Sequence, residues 1–239
     1  MITNLFHPRS FLLAAAMQVA VAVPVFSGDL ISENFDSVRL GRVVNSTRLA
    51  DGQIKGYEGS SAGELGYFEI TDDKSADGKG KALCFHDNWP EKERGGPVLT
   101  VNWTESTPAK GHLIVEWSWM VPVEGDFLAV QFLGGTWEDA AAILIAQNGA
   151  IIIQYDEQTR DRLARYEPGQ WVKVKFDFDI ASKTFTIYLN DTKSINTYKW
   201  QAGSRATVDT LKIIADGAPI DRHGDAVFYV DDVLVKSDN

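Results

Sequence analysis

One cysteine among 239 residues means that no disulfide can close within the chain, so its stability must come from packing and, where charges converge, from an ion. That cysteine, Cys84, sits in the apolar run Ala82-Leu83-Cys84-Phe85, the setting of a buried, inert thiol rather than of a nucleophile. Basic residues are in deficit: 23 Lys plus Arg stand against 33 Asp plus Glu, for a formal net charge of -10. This balance argues against nucleic acid and anionic membrane surfaces as partners, because binding either one by counterion release needs basic side chains. Acidic polysaccharides are repelled at long range too, although a local basic patch can override the average. There is almost no helical periodicity, no internal repeat and no low-complexity linker. A long apolar run occurs once, near the start.

That run, Phe11 to Phe26, follows the positive Arg9 and ends in small-residue patterns, Ala20-Val21-Ala22 or Val25-Phe26-Ser27. Residues 1–27 are therefore expected to be a secretory signal, since the stretch is short for a membrane anchor and contains Gln18 and Pro24. The expected mature chain, 28–239, is secreted, to a periplasmic or extracellular space, with no membrane insertion once the signal is removed. Its length suits one large β domain, since sandwiches often run to roughly 200–250 residues.

Strand patterning fills the rest. In His112 to Met120, Leu113, Val115, Trp117 and Trp119 fall on one face and Ile114, Glu116, Ser118 and Met120 on the other. Phe127 to Leu133 sets Leu128, Val130 and Phe132 opposite Ala129, Gln131 and Leu133, a strand covered on both sides. Ala141 to Ala146 and Ala150 to Tyr155, joined through Gln147-Asn148-Gly149, predict a tight hairpin. Trp171 to Asp179 points Val172, Val174, Phe176 and Phe178 inward and Lys173, Lys175, Asp177 and Asp179 outward. Thr184 to Leu189, Leu211 to Ala215, Gly66 to Ile70 and Lys81 to Phe85 read as further strands, Gln158 to Arg165 as a hairpin arm, and residues 38–65 as long loops around a rim. About a dozen strands at roughly ten-residue spacing imply an all-β, two-sheet antiparallel sandwich.

Acidic residues interrupt two of the strands. Phe228-Tyr229-Val230-Asp231-Asp232-Val233-Leu234-Val235 places adjacent carboxylates inside an apolar run, and Glu33-Asn34-Phe35-Asp36 supplies a second cluster near the front. A carboxylate taken out of water costs several kcal/mol unless it is paired or coordinated. The pair then marks a bulge on an exposed strand, a salt bridge, or a metal. If the first and last strands lie side by side, the clusters meet, and hard oxygen ligands of this kind suit calcium.

The order of these elements resembles the concanavalin A-like lectin/glucanase superfamily, especially the laminin G-like jelly rolls of secreted bacterial proteins that handle polysaccharides. The resemblance rests on Glu33-Asn34-Phe35-Asp36, Gly80-Lys81-Ala82-Leu83, Trp171 to Phe178, Phe185-Thr186-Ile187-Tyr188-Leu189-Asn190 and Tyr229-Val230-Asp231-Asp232-Val233. It implies a jelly-roll fold over nearly all of the mature chain. It also implies a structural calcium between the terminal strands, at Glu33, Asp36 and Asp232.

Glycosidases of that superfamily carry Glu-x-Asp-x-x-Glu on one strand, which is absent here: Glu116 is the sole carboxylate between Leu113 and Met120. Jelly-roll polysaccharide lyases pair a Gln with a His two residues on, whereas Gln131-Phe132-Leu133 keeps the Gln and replaces the His with Leu. His86, His112 and His223 sit in no recognisable constellation. Non-catalytic binding of a polysaccharide or oligosaccharide asks for less: amide and hydroxyl groups for sugar hydroxyls and aromatic faces for stacking. The candidates are Glu116, Ser118, Gln131 and Gln154 with Trp89, Trp103 or Trp137, while Trp117, Trp119 and Trp171 are expected in the core. A lyase or glycosidase of unusual site, or a structural protein of the cell envelope, are the alternatives.

Overall fold

The computed structural model describes residues 28–43, 48–49, 54–57, 66–87, 97–103, 108, 110–123, 127–134, 140–155, 159–200, 208–215 and 226–238. The expected signal, residues 1–27, lies outside them, as do Trp89, Trp137 and His223.

In chain order the described strands are β1 (Gly28–Glu33), β2 (Gly41–Val43), β3 (Arg48–Leu49), β4 (Ile54–Tyr57), β5 (Gly66–Thr71), β6 (Ala82–Asp87), β7 (Val98–Asn102), β8 (His112–Met120) and β9 (Leu128–Leu133). They continue with β10 (Ala140–Gln147), β11 (Ala150–Gln154), β12 (Arg160–Arg165), β13 (Trp171–Asp179), β14 (Thr184–Leu189), β15 (Thr192–Lys199), β16 (Thr210–Ala215) and β17 (Ala226–Asp238). Sheet A runs β15-β14-β13-β8-β17-β6-β5-β2, with β1 added against β17; sheet B runs β12-β11-β10-β9-β16-β7-β4-β3. The described neighbours pair antiparallel, as between β8 and β13 or β9 and β16. The fold is an all-β, two-sheet jelly-roll sandwich.

The core lies where the two apolar faces meet. Phe132 of sheet B reaches across to sheet A, its ring centroid 4.4 Å from Phe176, 5.0 Å from Phe178 and 5.9 Å from Trp117. All four side chains are fully buried. Burying each large apolar side chain contributes about 1.5–3 kcal/mol, so this cluster is a principal source of stability in a chain with no cross-link. The β10–β11 turn forms as expected, with Asn148 and Gly149 at φ 51° and 69°, both in the left-handed region that a tight hairpin requires.

Two expectations need correction, and one strand, β15, is added to those expected. Residues 38–65 hold more than loops: β2 pairs with β5 at one sheet edge, and β3 and β4 extend the other sheet from β7. β15 shows little apolar alternation because it is an edge strand with only Tyr198 buried. Trp171 is not in the core, since Val172 takes the inward position; Trp171 packs edge-on to Tyr229 at 6.5 Å, on the outer side of sheet A. Trp117 and Trp119 are buried as expected.

β17 organises sheet A. Its first half, Ala226 to Val230, pairs with β6, its second half, Val233 to Ser237, pairs with β1, and β8 lies along its other side. At the changeover the register shifts between Asp231 and Leu234 against Ser118 and Glu116, and Asp232 adopts φ 52°. The adjacent carboxylates therefore mark a bulge.

Candidate functional site

The bulge and the end of β1 bring the two acidic clusters together. Glu33 is buried, and its Oε1 accepts the Phe35 N–H at 2.6 Å, which fixes Phe35 at φ 60° with its ring in the core. Asp36 accepts from the Lys81 N–H at 2.8 Å and from Asn34 Nδ2 at 2.9 Å, while Lys81 Nζ donates to the carbonyls of Asp36 and Val38. Asp77 takes the N–H groups of Lys79 and Gly80, which hold its carboxyl below the usual range. Asp231, 3% exposed, accepts from Ala76 N–H at 2.9 Å and Asp232 N–H at 2.8 Å. Burial pushes its carboxyl up to about 6, with the charges of Asp232 and Asp36 adding to the shift. Asp232 is raised as well, by burial first and then by the charges of Asp77 and Asp36.

A groove of about 430 Å³ opens beside the bulge, lined by Glu33, Asn34, Glu116, Ser118, Lys173 and Asp232 among others. Two of the expected ligand-binding residues, Glu116 and Ser118, thus join two of the expected metal ligands, Glu33 and Asp232. Lys173 sits 3.7 Å from Glu116 and 3.3 Å from Asp191, so the Glu116 carboxylate is already partnered. Among the described residues no three His, Cys, Asp or Glu side chains converge as a metal cage would need. Glu33 spends an oxygen on its own turn, and Asp36 is committed to Lys81 and Asn34. What fits a cation here is the mutual repulsion of Asp36, Asp77, Asp231 and Asp232, not a finished ligand set.

Gln131 and Gln154 stand elsewhere, on the outer face of sheet B. Phe132 and Val130 point into the core, which turns Gln131 outward, and register sets Gln131 opposite Lys212, Lys212 opposite Thr100, Ile143 between Gln131 and Gln154, and Gln154 opposite Arg160. One cross-strand row therefore carries Arg160, Gln154, Ile143, Gln131, Lys212 and Thr100. Arg160 Nε donates to Gln154 Oε1 at 2.9 Å. Lys212 is 8% exposed, and burial lowers its ammonium to about 8. The sequence reading overlooked Lys212, although a single cation within Leu211-Lys212-Ile213-Ile214 is a usable signal. The expected binding residues thus split between opposite faces of the sandwich, with Glu116 and Ser118 on sheet A and Gln131 and Gln154 on sheet B.

Other candidates fall away. Trp103 is 1% exposed and its Nε1 donates to the Val208 carbonyl at 3.0 Å, so it belongs to the core rather than to a sugar platform. His86 contacts Cys84 Sγ at 3.3 Å and Glu69 Oε2 at 3.2 Å through the same nitrogen, Nε2, which cannot relay a proton from one to the other. Burial also pushes the Cys84 thiol up to about 12, as an inert cysteine requires. His112 Nδ1 is held by Asp177 at 2.6 Å on sheet A, which raises its pKa and keeps it far from the Gln131 row.

No family model matches the sequence, and no curated protein does. Solved structures do resemble the fold. The catalytic domain of a glycoside hydrolase family 131 protein from Coprinopsis cinerea aligns at TM-score 0.61 and 12% identity, over 86% of this chain and 92% of that one. An alginate lyase of polysaccharide lyase family 7 aligns at TM-score 0.52 and 16% identity, over 77% and 85%. A sialidase aligns at TM-score 0.61 and 12% identity over 83% of this chain, which spans 19% of the sialidase. At these identities the likeness is one of fold, the two-sheet jelly roll.

Proposed function

We propose that this is a secreted, non-catalytic carbohydrate-binding protein of the laminin G-like kind, working in a periplasmic or extracellular space, with its sugar surface on the outer face of sheet B. The observation that carries this reading is the row in which Gln154, Gln131, Lys212 and Thr100 present amide, ammonium and hydroxyl groups across adjacent strands. Such groups hydrogen-bond sugar hydroxyls without chemistry of their own. The fold is shared with an alginate lyase and a glycoside hydrolase, which adds weight to a saccharide ligand. Leu133 supports the non-catalytic reading: it lies on the same outer face as Gln131, two residues on, and brings an isobutyl group where a lyase of this shape would carry imidazole.

A calcium ion between the terminal strands belongs to the same proposal. Asp36 and Asp232, backed by Glu33, would hold it, and its charge would offset the repulsion that raises Asp231 and Asp232. A polysaccharide lyase is the second reading, favoured by Lys212 standing opposite Gln131, since an amine whose pKa burial lowers to about 8 is a proton donor at neutral pH and becomes a base as the pH rises past that value.

The experiment is retention of the purified chain on a panel of polysaccharides, with reducing ends and unsaturated-uronate absorbance followed in the same tubes. Retention without product supports the binder. Product overturns the non-catalytic reading and turns attention to Gln131 and Lys212, and absence of both retention and product overturns the carbohydrate reading.

A further inference from the structure

The two sheets carry charge of different sign. Among the described side chains of sheet B's strands, Arg160, Arg162, Arg165 and Lys212 stand against one carboxylate, Asp161. Asp161 pairs opposite core-facing Ile153, so it does not share the outer face. In sheet A acids outnumber bases, with Glu116, Asp177, Asp179, Asp231 and Asp232 among them. A chain with net charge -10 has thus kept carboxylates off the outward positions of one described sheet.

β12 concentrates the effect. Arg160 pairs opposite Gln154, Arg162 opposite Ile152 and Arg165 opposite Ala150, all partners that alternate with core-facing Ile151 and Ile153. A register shift between Ile151 and Ile152 allows arginines spaced two and three apart to fall on the same side. All three are exposed at the sheet edge, and Arg162 and Arg165 also line a groove of about 650 Å³ between β12 and β15. From β12 to Lys212 on β16 is four strand spacings, about 19 Å.

We propose that the outer face of sheet B binds an acidic polysaccharide, with the β12 arginines pairing its acid groups and Gln131 and Gln154 taking its hydroxyls. The inference rests on the carbohydrate-binding reading and names the class of sugar. Arginine suits it because the planar guanidinium matches a carboxylate or sulfate with two parallel hydrogen bonds. The repulsion expected from the net charge does not decide the matter at close range. Stacked sheets lie about 10 Å apart, and at physiological salt the screening length is about 8 Å, so the acids of sheet A are largely hidden from a ligand on sheet B.

The test uses the full mature chain on four immobilised polymers: a polyuronate, the same polymer with its carboxyls reduced to alcohols, a sulfated polysaccharide and single-stranded DNA. Retention on the polyuronate or the sulfated polymer, lost on the reduced one, is the expected result, and the two acidic arms separate carboxylate from sulfate as the recognised group. The Arg162→Glu, Arg165→Glu double variant should weaken that retention about tenfold, as two partly exposed charge pairs lost and reversed would do. Its melting temperature should stay unchanged, because both side chains are exposed. Equal retention on the reduced polymer, or a double variant that binds as well as the parent, overturns the acidic ligand while leaving carbohydrate binding intact. DNA held as firmly as the polyuronate overturns the sugar. No retention on any saccharide overturns the reading on which the inference stands.

Discussion

Replacing Lys212 with Met should stabilise the protein at neutral pH while damaging its ligand surface. In the fold the ammonium titrates near 8 instead of 10.5, because burial penalises its charged form. A lysine whose pKa falls on folding binds fewer protons in the folded state, so stability rises with pH between 8 and 10.5, and below 8 the full penalty stands. That lowering corresponds to about 3 kcal/mol. Methionine keeps the length and flexibility of the side chain and removes the charge. For a domain of this size such a gain raises the melting temperature by roughly 6–12 °C. Thermal unfolding of parent and Lys212→Met from pH 6 to pH 10.5 is the assay: the parent should gain stability above pH 8, and the variant should start higher and lack that rise. The reasoning is refuted if the variant melts at or below the parent at pH 7, or if both curves rise in parallel above pH 8. Retention of the same variant on its polysaccharide should fall, a stability gain made at the expense of the site.

Three further outcomes are expected. Phe132→Ala, which empties the centre of the ring cluster formed with Trp117, Phe176 and Phe178, should cost about 3–5 kcal/mol by urea denaturation. Gly80→Ala should cost roughly 1–3 kcal/mol, because its Cβ would run into Asp36 Oδ1, which the Lys81 N–H holds in place. The penalty should largely vanish in an Asp36→Ala background, and a double-mutant cycle that shows additive costs would disprove that contact as its cause. If calcium sits between the terminal strands, at a hundredfold excess over its Kd it adds about 2.7 kcal/mol, so chelator should lower the melting temperature measurably and added calcium should restore it; an unchanged melt removes calcium from the proposal.

The strands legible in the sequence were those with one face in the core. β8, β13 and β14 alternate because their inward residues meet the other sheet, and the Asn148-Gly149 turn announced its hairpin by its residue types. β15 went unread because an edge strand with a single buried residue has no period to see, and β7 because Val98 and Leu99 are both buried and break the alternation. The pairing of β1 with β17 could be anticipated from the two acidic clusters, as could the bulge among the alternatives for Asp231 and Asp232. The site was harder. Alternation assigns a residue to a face, but not its strand to a sheet, and sheet membership depends on contacts remote in sequence. Glu116 and Ser118 were set opposite the core face of their strand and Gln131 opposite Val130 and Phe132, yet Glu116 and Ser118 lie on one side of the sandwich and Gln131 and Gln154 on the other. The arginines of β12 gave no alternating signal, since the register shift that aligns them breaks the period of two.

The position of β17 bears on how such a chain can fold at all. Residues 226–238 occupy the middle of sheet A, with β8 on one side and β6 and then β1 on the other, so the two halves of that sheet have no common neighbour until these residues are in place. A nascent chain lacking them can form hairpins such as β10–β11 or β13–β14, but not a closed sandwich. Final closure joins segments about two hundred residues apart, which makes it slow relative to local pairing. Of the described strands, the one that joins the two halves of sheet A is also the last in chain order.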